Sequence, residues 1–171
     1  MKPERIYDYL VLAREKVFGW IRPLNGEQYA REFPFGMKSL KATLPHMLNA
    51  EWVYAQRMSG EALPSPIPPT AFPVQPDQHP DFATLEAAWV TQAQRTRAAI
   101  AGVHDWSRTL EYVVDWDGTP MRITTTPGDV MSQLVIHEAH HRAQCMAMLR
   151  QMGIAAEDLD YSYWMYHRER V

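Results

Sequence analysis

The sequence predicts an all-α fold, an antiparallel four-helix bundle with a small β-hairpin inserted before the last long helix. Two observations support this prediction. Four segments repeat their apolar residues every three or four positions, as amphipathic helices do, and residues 109–125 change to the alternating period of β-strands. The chain of 171 residues is long enough to bury the core of a single domain, which is predicted to span residues 1–171.

The first helix is predicted from one apolar stripe near the N-terminus. Its members lie three or four residues apart and therefore share one helix face: Ile6, Leu10, Ala13, Val17 and Trp20. Pro3 is compatible with the first turn, where the N–H that proline lacks has no partner within the helix. The turn-forming sequence Pro-Leu-Asn-Gly at 23–26 predicts where this helix ends.

The second helix is predicted from about residue 39 to residue 59, with Gly60 as its stop signal. Pro45 is unfavourable inside it, because proline lacks an N–H and its ring clashes with the carbonyl four residues earlier. Either the helix kinks just before His46, or it begins at Thr43 and Pro45 lies in its first turn. We favour the kink.

The segment after the second helix contains seven prolines between residues 63 and 80, which exclude a helix or a central strand. We predict an ordered, extended surface loop there, because neither flank is long enough to make the alternative, a linker between two domains, convincing. The third helix follows over 81–103, with Asp81 as its N-cap. Residues 109–125 then predict a β-hairpin, whose turn is the sequence Asp-Trp-Asp-Gly at 115–118.

The fourth helix carries the strongest end signals and is predicted over 127–152. Thr126 is an N-cap residue, Pro127 suits the first helical position, and Asp129 places an acid in the first turn. Gly153 follows the last turn, as glycine commonly does at helix ends. A helix of this length would extend roughly 39 Å. An aromatic-rich tail, residues 155–171, follows it.

Composition and charge argue against several classes of function. The net charge is −3 and the basic residues are scattered, so the sequence has no basic patch for a nucleic acid. No apolar run approaches the ~20 residues of a membrane span, and the N-terminus lacks a signal-peptide pattern. Cys145 is the only cysteine, which rules out an internal disulfide and suits a reducing compartment. We expect a soluble cytoplasmic protein with neither a nucleic acid nor a membrane as partner.

Histidines in the fourth helix form the main candidate site. His137 and His141 lie four residues apart, so both imidazoles project from one helix face toward a common point. Residues 137–141 formally match the HExxH motif of zinc proteases, but that class also needs a cleft beside a sheet edge, which a short helical chain does not offer. His46 on the second helix is the candidate third ligand. His140 is turned by about 100° from His141 and is predicted to point away from the ion.

Several stretches of the sequence resemble one known family. Residues 40–52, LKATLPHMLNAEW, together with Gly60 resemble the second-helix signature of the DinB/YfiT-like metalloprotein superfamily. The sequence HEAHHRAQ at 137–144 resembles its fourth-helix motif HxxxHRGQ, and Asp160-Tyr161 at 160–161 resembles its C-terminal stretch. The resemblance covers nearly the whole chain. Ala143 departs from the glycine common in the family, and Pro45 is a second departure, beside the first histidine.

The resemblance implies a four-helix bundle, a homodimer, and a metal site in which His46, His137 and His141 are the ligands. Three neutral imidazoles suit a divalent transition metal, Zn, Ni or Fe, and leave positions open for a small-molecule substrate. Some members of the superfamily resemble metal-dependent thiol S-transferases and others thiol-dependent isomerases, so the implied substrates include a low-molecular-weight thiol. Two alternatives stay open: a metal-dependent hydrolase, and a stress-related metal-binding protein without catalysis.

The choice between a transferase and a hydrolase depends on carboxylates. A hydrolase normally needs a general base beside the metal, and Glu51 and Glu138 are the only candidates near the histidines. We expect neither to face the ion, with Glu138 turned to solvent or to another helix. A thiol transferase can dispense with a base because the metal itself acidifies the thiol, so we favour the transferase. Cys145 lies one turn beyond His141 and is predicted to be a core residue rather than a fourth ligand.

Overall fold

The computed structural model describes residues 2–76 and 78–170, and these residues are mainly helical. The helices are α1 (Pro3–Ile21), α2 (Gly26–Ala30), α3 (Leu40–Ser59), α4 (Phe82–Ala101), α5 (Pro127–Gln151) and α6 (Tyr161–Met165). Between α4 and α5, the strands β1 (Leu110–Trp116) and β2 (Thr119–Thr125) form a two-stranded antiparallel sheet. The prediction of a mainly helical chain with a small hairpin before the last long helix is confirmed. Among the residues described, no helix combines the length and hydropathy needed to cross a bilayer.

The four long helices, α1, α3, α4 and α5, contribute most of the hydrophobic core. α3 packs against α4 and α5, and α1 packs against the same two helices. The apolar stripe predicted for the first helix faces inward: Leu10, Ala13 and Val17 are buried, and Ile6 and Trp20 pack at the margin of the core. Each large apolar side chain that is fully buried contributes about 1.5–3 kcal/mol to folding.

α3 continues through the proline that precedes the first candidate ligand. Ser39 caps this helix, its Oγ accepting the N–H of Ala42 at 3.1 Å, and the helical conformation extends through Pro45. The alternative start at Thr43 is therefore wrong. The Thr43 hydroxyl donates instead to the Ser39 carbonyl at 2.6 Å, within the first turn. Gly60 ends the helix with a φ of +81°, a left-handed conformation that glycine adopts without strain.

Reciprocal capping hydrogen bonds start α5 and α2. At α5, Thr126 Oγ1 accepts the N–H of Asp129 at 3.1 Å, and Asp129 Oδ2 accepts the N–H of Thr126 at 3.2 Å. This helix begins where the sequence predicts and ends one residue earlier than expected. At α2, Asn25 and Gln28 form the same pair of bonds, at 2.8 and 3.0 Å. Residues 23–26 predict only a helix end, and neither α2 nor the short α6 is predicted from the sequence.

The hairpin has the predicted position and a tighter turn than predicted. Trp116 of β1 lies opposite Thr119 of β2, so only two residues connect the strands. Asp117 and Gly118 have φ angles of +51° and +79°, as a type I′ turn requires. The Asp115 carboxylate accepts the N–H of Gly118 at 2.9 Å. Asp115 and Trp116, which the sequence predicts to lie in the turn, therefore belong to β1.

The proline-rich segment has neither an α-helix nor a strand in its described residues, as predicted, and Asp77 lies outside them. Its regular structure is one 3-10 turn at Pro69–Ala71. The segment is attached to α3 at Val74, whose N–H and carbonyl each bond the side chain of Asn49 at 3.1 Å. These two bonds hold the loop beside the helix that carries the first candidate ligand.

Candidate metal centre

Three histidines on two neighbouring helices converge. α3 carries His46 in its second turn, and α5 carries His137 and His141 one turn apart. Because α3 and α5 pack against each other, the three imidazoles meet. One ring nitrogen of each lies within 4.8 Å of those of the other two. The structure thus brings together the three residues that the sequence indicates as ligands.

The spacing of the ring nitrogens fits a single transition-metal ion. The Nε2 atoms of His46 and His137 are 3.0 Å apart, and the three ring centroids are separated by 5.0, 4.7 and 4.5 Å. Two nitrogens that share a tetrahedral zinc at about 2.0–2.1 Å are about 3.3 Å apart. Shifts of a few tenths of an ångström would therefore bring this pair to coordination distance. An all-imidazole set of donors is one that zinc, nickel and iron accept.

Burial favours the neutral form of two of the candidate ligands. Burial, together with the nearby imidazoles of His141, His46 and His140, lowers the pKa of His137 to about 4. Burial and His141 also lower the pKa of His46. Only the neutral imidazole has a lone pair to give to a metal ion, so at neutral pH both side chains are in the form that binds metal.

Gln144 contacts two of the α5 histidines at once. The Nδ1 atom of His141 lies 2.9 Å from Oε1 of Gln144, which can only accept, so Nδ1 carries the proton. The Nε2 atom of His141 is then free to face the other two imidazoles. Gln144 donates through its own Nε2 to Nε2 of His140 at 2.9 Å. His140 is exposed and stays outside the converging group, in agreement with its predicted orientation.

A second polar cluster, the buried triad of Arg14, Glu51 and Glu138, joins three helices. The Nη2 atom of Arg14, on α1, donates to Glu51 on α3 at 2.6 Å and to Glu138 on α5 at 2.5 Å. The exposed fractions of the three side chains are 5%, 1% and 3%. Burial lowers the pKa of Arg14, but the two carboxylates raise it by more, so the guanidinium stays charged. Tyr7 and Thr96 donate to the other Glu51 oxygen, at 2.5 and 2.7 Å.

This buried triad is not among the features predicted from the sequence. Of the two orientations expected for Glu138, the structure has the one toward another helix, where burial raises the pKa of its carboxyl. One signal was present in the sequence. Arg14 lies four residues after Leu10 and three before Val17, on the stripe that faces the core. A charge at a core position needs a buried partner, which directs attention to carboxylates on the facing helices.

Two other features lie apart from the three histidines. Cys145 is a core residue, as predicted, and burial raises the pKa of its thiol to about 12. It does not belong to the converging group. A cavity of about 740 Å³ lies between the end of α3, residues 60–67 and β1. None of the three histidines lines this cavity, so it is separate from the candidate metal centre.

Comparison with known proteins identifies the family of the chain. A relative from Bacillus subtilis (strain 168), described as "Protein DinB", is 21% identical over 162 residues, which cover 95% of this chain and 92% of that protein. The model of the DinB family matches residues 1–170. A match of that extent includes both helices that carry the histidines, and the chain therefore belongs to the DinB family.

Proposed function

We propose that this protein binds one divalent transition-metal ion through His46, His137 and His141. The observation that supports this most directly is the convergence of one nitrogen from each imidazole within 4.8 Å. The low pKa of His137, which burial causes, adds support because it keeps a ligand neutral. We also propose that the four long helices form the antiparallel bundle of the family, since α1 and α3 each pack against both α4 and α5.

We propose further that the protein is an enzyme of the thiol S-transferase type. When bound, a 2+ ion held by three neutral ligands would lower the pKa of a coordinated thiol and favour its reactive thiolate. The thiol sulfur forms a bond to an electrophilic carbon, the leaving group departs with its electron pair, and the thiol proton passes to solvent. The protein's own Cys145 is excluded as the nucleophile, because it is buried and its thiol pKa is raised to about 12.

The buried triad favours a thiol over water as the nucleophile. Activation of water would normally require a carboxylate near the ion as general base. Glu51 and Glu138 are the acidic residues closest in sequence to the histidines, and both are bonded to Arg14 in the core. Among the described residues, the group that could hold the ion contains histidines alone. A thiol transferase needs no such base, because the ion itself acidifies the thiol.

Metal content tests the site. The purified protein should hold about one equivalent of zinc, nickel or iron per chain, measured by plasma mass spectrometry. His137→Ala should remove most of it. His140→Ala is the matched control, because it removes an exposed imidazole from the same helix and should leave the metal in place. Loss of metal in His140→Ala with retention in His137→Ala would contradict the proposed ligand set.

Activity is tested with the metal-loaded protein, a small thiol and a chromogenic electrophile. We expect conjugation that disappears in His137→Ala and persists in Cys145→Ser. Ester hydrolysis that needs the metal and Glu138, without any effect of thiol, would favour the hydrolase instead. The absence of both activities in a metal-loaded protein would favour a stress-related metal-binding role.

We propose a homodimer as the form in solution. The aromatic tail supports it, because Tyr163 and Tyr166 remain 60% and 64% exposed, and Trp116 of the hairpin is 68% exposed. Large apolar side chains that a monomer leaves in water commonly mark an interface. The oligomeric state can be measured directly by light scattering.

A further inference from the structure

In the loop between α2 and α3, Gly36 lies against Gln144, whose side chain contacts the candidate ligand His141. The φ of Gly36 is +57°, in the left-handed region, and a methyl group built on its Cα would lie 2.8 Å from both Cδ and Oε1 of Gln144. Real Cβ atoms essentially never approach that closely, so a side chain at position 36 would displace the amide of Gln144. The amide is therefore confined by the loop on one side and by its own helix on the other.

Gln144 is also the partner of a candidate ligand. Its Oε1 accepts the proton of Nδ1 of His141 at 2.9 Å. A neutral imidazole carries one proton, so a proton on Nδ1 leaves the lone pair on Nε2. Free histidine in water prefers the opposite tautomer, with its proton on Nε2. The hydrogen bond from His141 to Gln144 thus selects the less common tautomer, the one whose Nε2 can bind a metal.

The other end of the Gln144 amide contacts His140. Its Nε2 donates to Nε2 of His140 at 2.9 Å. If the amide turned by 180°, its NH₂ group would face Nδ1 of His141 and require an acceptor there. The proton of His141 would then have to move to Nε2, where it blocks coordination. The role of Gln144 therefore depends on its Oε1 facing Nδ1 of His141.

We infer that Gln144, seated against Gly36, is a positioning residue that holds His141 in the Nδ1–H tautomer and so presents Nε2 to the metal ion. This inference rests on the proposed metal site. It assigns a role to two residues that are not ligands themselves. Partners of metal-bound histidines commonly change metal affinity by tenfold to a hundredfold when they are removed.

The first experiment measures the tautomer without any metal. Long-range ¹H–¹⁵N correlation spectra of the metal-free protein, recorded at a pH where the imidazoles are neutral, distinguish the two tautomers of each histidine. We expect Nδ1–H for His141 in the wild type, and a shift toward Nε2–H in Gln144→Met, which keeps the volume and loses the acceptor. Gln144→Glu keeps an acceptor and should retain the Nδ1–H form.

Gly36→Ala tests the contact with the loop. Its new methyl group should push the amide away and shift the His141 tautomer as Gln144→Met does. Gly153→Ala is the matched control: its φ is +84°, so alanine meets similar backbone strain, but its Cβ would have no neighbour within 4 Å. Gly153→Ala should leave the tautomer of His141 unchanged. A purely structural effect of left-handed strain would appear in both variants.

The second experiment measures affinity for zinc by competition with a chromogenic chelator. We expect Gln144→Met and Gly36→Ala to weaken binding tenfold to a hundredfold, and Gln144→Glu and Gly153→Ala to stay within about threefold of wild type. An unchanged His141 tautomer in Gln144→Met overturns the inference, and so does an unchanged zinc affinity. If the wild type itself binds no metal, the proposed site fails, while the tautomer spectra still decide whether Gln144 controls His141.

Discussion

Replacement of Arg14 by methionine should destabilise the fold strongly. The substitution places an unbranched apolar side chain in the core but removes the positive charge that bonds both Glu51 and Glu138. The two carboxylates are 1% and 3% exposed, so water cannot replace the guanidinium without rearrangement of the core. Arg14 also stacks on the indole ring of Trp89, with its guanidinium carbon 3.8 Å from the ring centroid.

The size of the effect follows from the burial of the triad. Loss of one partner from a buried ion pair typically costs about 3–5 kcal/mol, because an uncompensated charge stays in the core. The free energy of unfolding of native proteins is about 5–15 kcal/mol, so the loss of Arg14 would remove a large share of it. At about 2–4 °C per kcal/mol, the melting temperature should fall by roughly 6–20 °C. The loss should grow as pH rises. Burial raises the pKa of the Glu138 carboxyl and Arg14 lowers it, so without Arg14 folded Glu138 would keep a proton that the unfolded state releases.

Urea unfolding followed by far-UV circular dichroism measures this loss, with Arg97→Met as the control. Arg97 pairs with Asp8 at the surface, where the two side chains are 47% and 52% exposed, so its replacement should cost only about 0–1 kcal/mol. Glu51→Gln and Glu138→Gln added to Arg14→Met should recover part of the stability by removing both buried charges. If Arg14→Met is as stable as Arg97→Met at every pH, the account of the triad as a charged, buried cluster is refuted.

Four further outcomes are expected. The metal-free protein should lose stability as pH falls from about 6.5 toward 4, because His137 takes up a proton in the unfolded state, whereas its pKa in the folded state is lowered to about 4. The unfolding midpoint of His137→Gln should depend less on pH than that of the wild type, and an identical dependence would contradict this. Metal at one hundred times its dissociation constant should add about 2.7 kcal/mol to stability, so a melting temperature that a chelator leaves unchanged, with removal of the metal verified, would count against the site. Cys145 should react with a disulfide reagent only when the protein unfolds, and rapid labelling of the native protein would show that the thiol is not in the core. Light scattering should give about twice the 19.8 kDa of one chain, and a mass of one chain at micromolar concentration would exclude the dimer.

The regular elements were predictable where local signals agree with the tertiary structure. α5 begins where Thr126, Pro127 and Asp129 indicate, because the signals for its start involve only residues that adjoin one another. Pro45 was harder. A proline normally disfavours the helix interior, yet α3 extends through it, because the helix on either side is held by packing against α4 and α5. A prediction from local helix propensity does not include the stabilisation that this packing provides.

The candidate site was predictable only as far as its three histidines. Spacing four residues apart pairs His137 with His141, and the family resemblance adds His46. The contact of Gly36 with Gln144 joins positions more than one hundred residues apart, and no local pattern marks it. The buried triad also depends on three separate helices, although its arginine interrupts an apolar stripe and could have been recognised.

The position of the buried triad has a consequence for how the protein can change over evolutionary time. α3 carries His46 and Glu51, and α5 carries His137 and Glu138. Each of these helices therefore has both a candidate metal ligand and a carboxylate that is bonded to Arg14 of α1. Helix alignment is thus maintained by a link that needs no ion. A descendant could replace one of the three histidines without losing the scaffold that holds the other two. The arrangement of the helices could thus be inherited while the residues of the candidate site change.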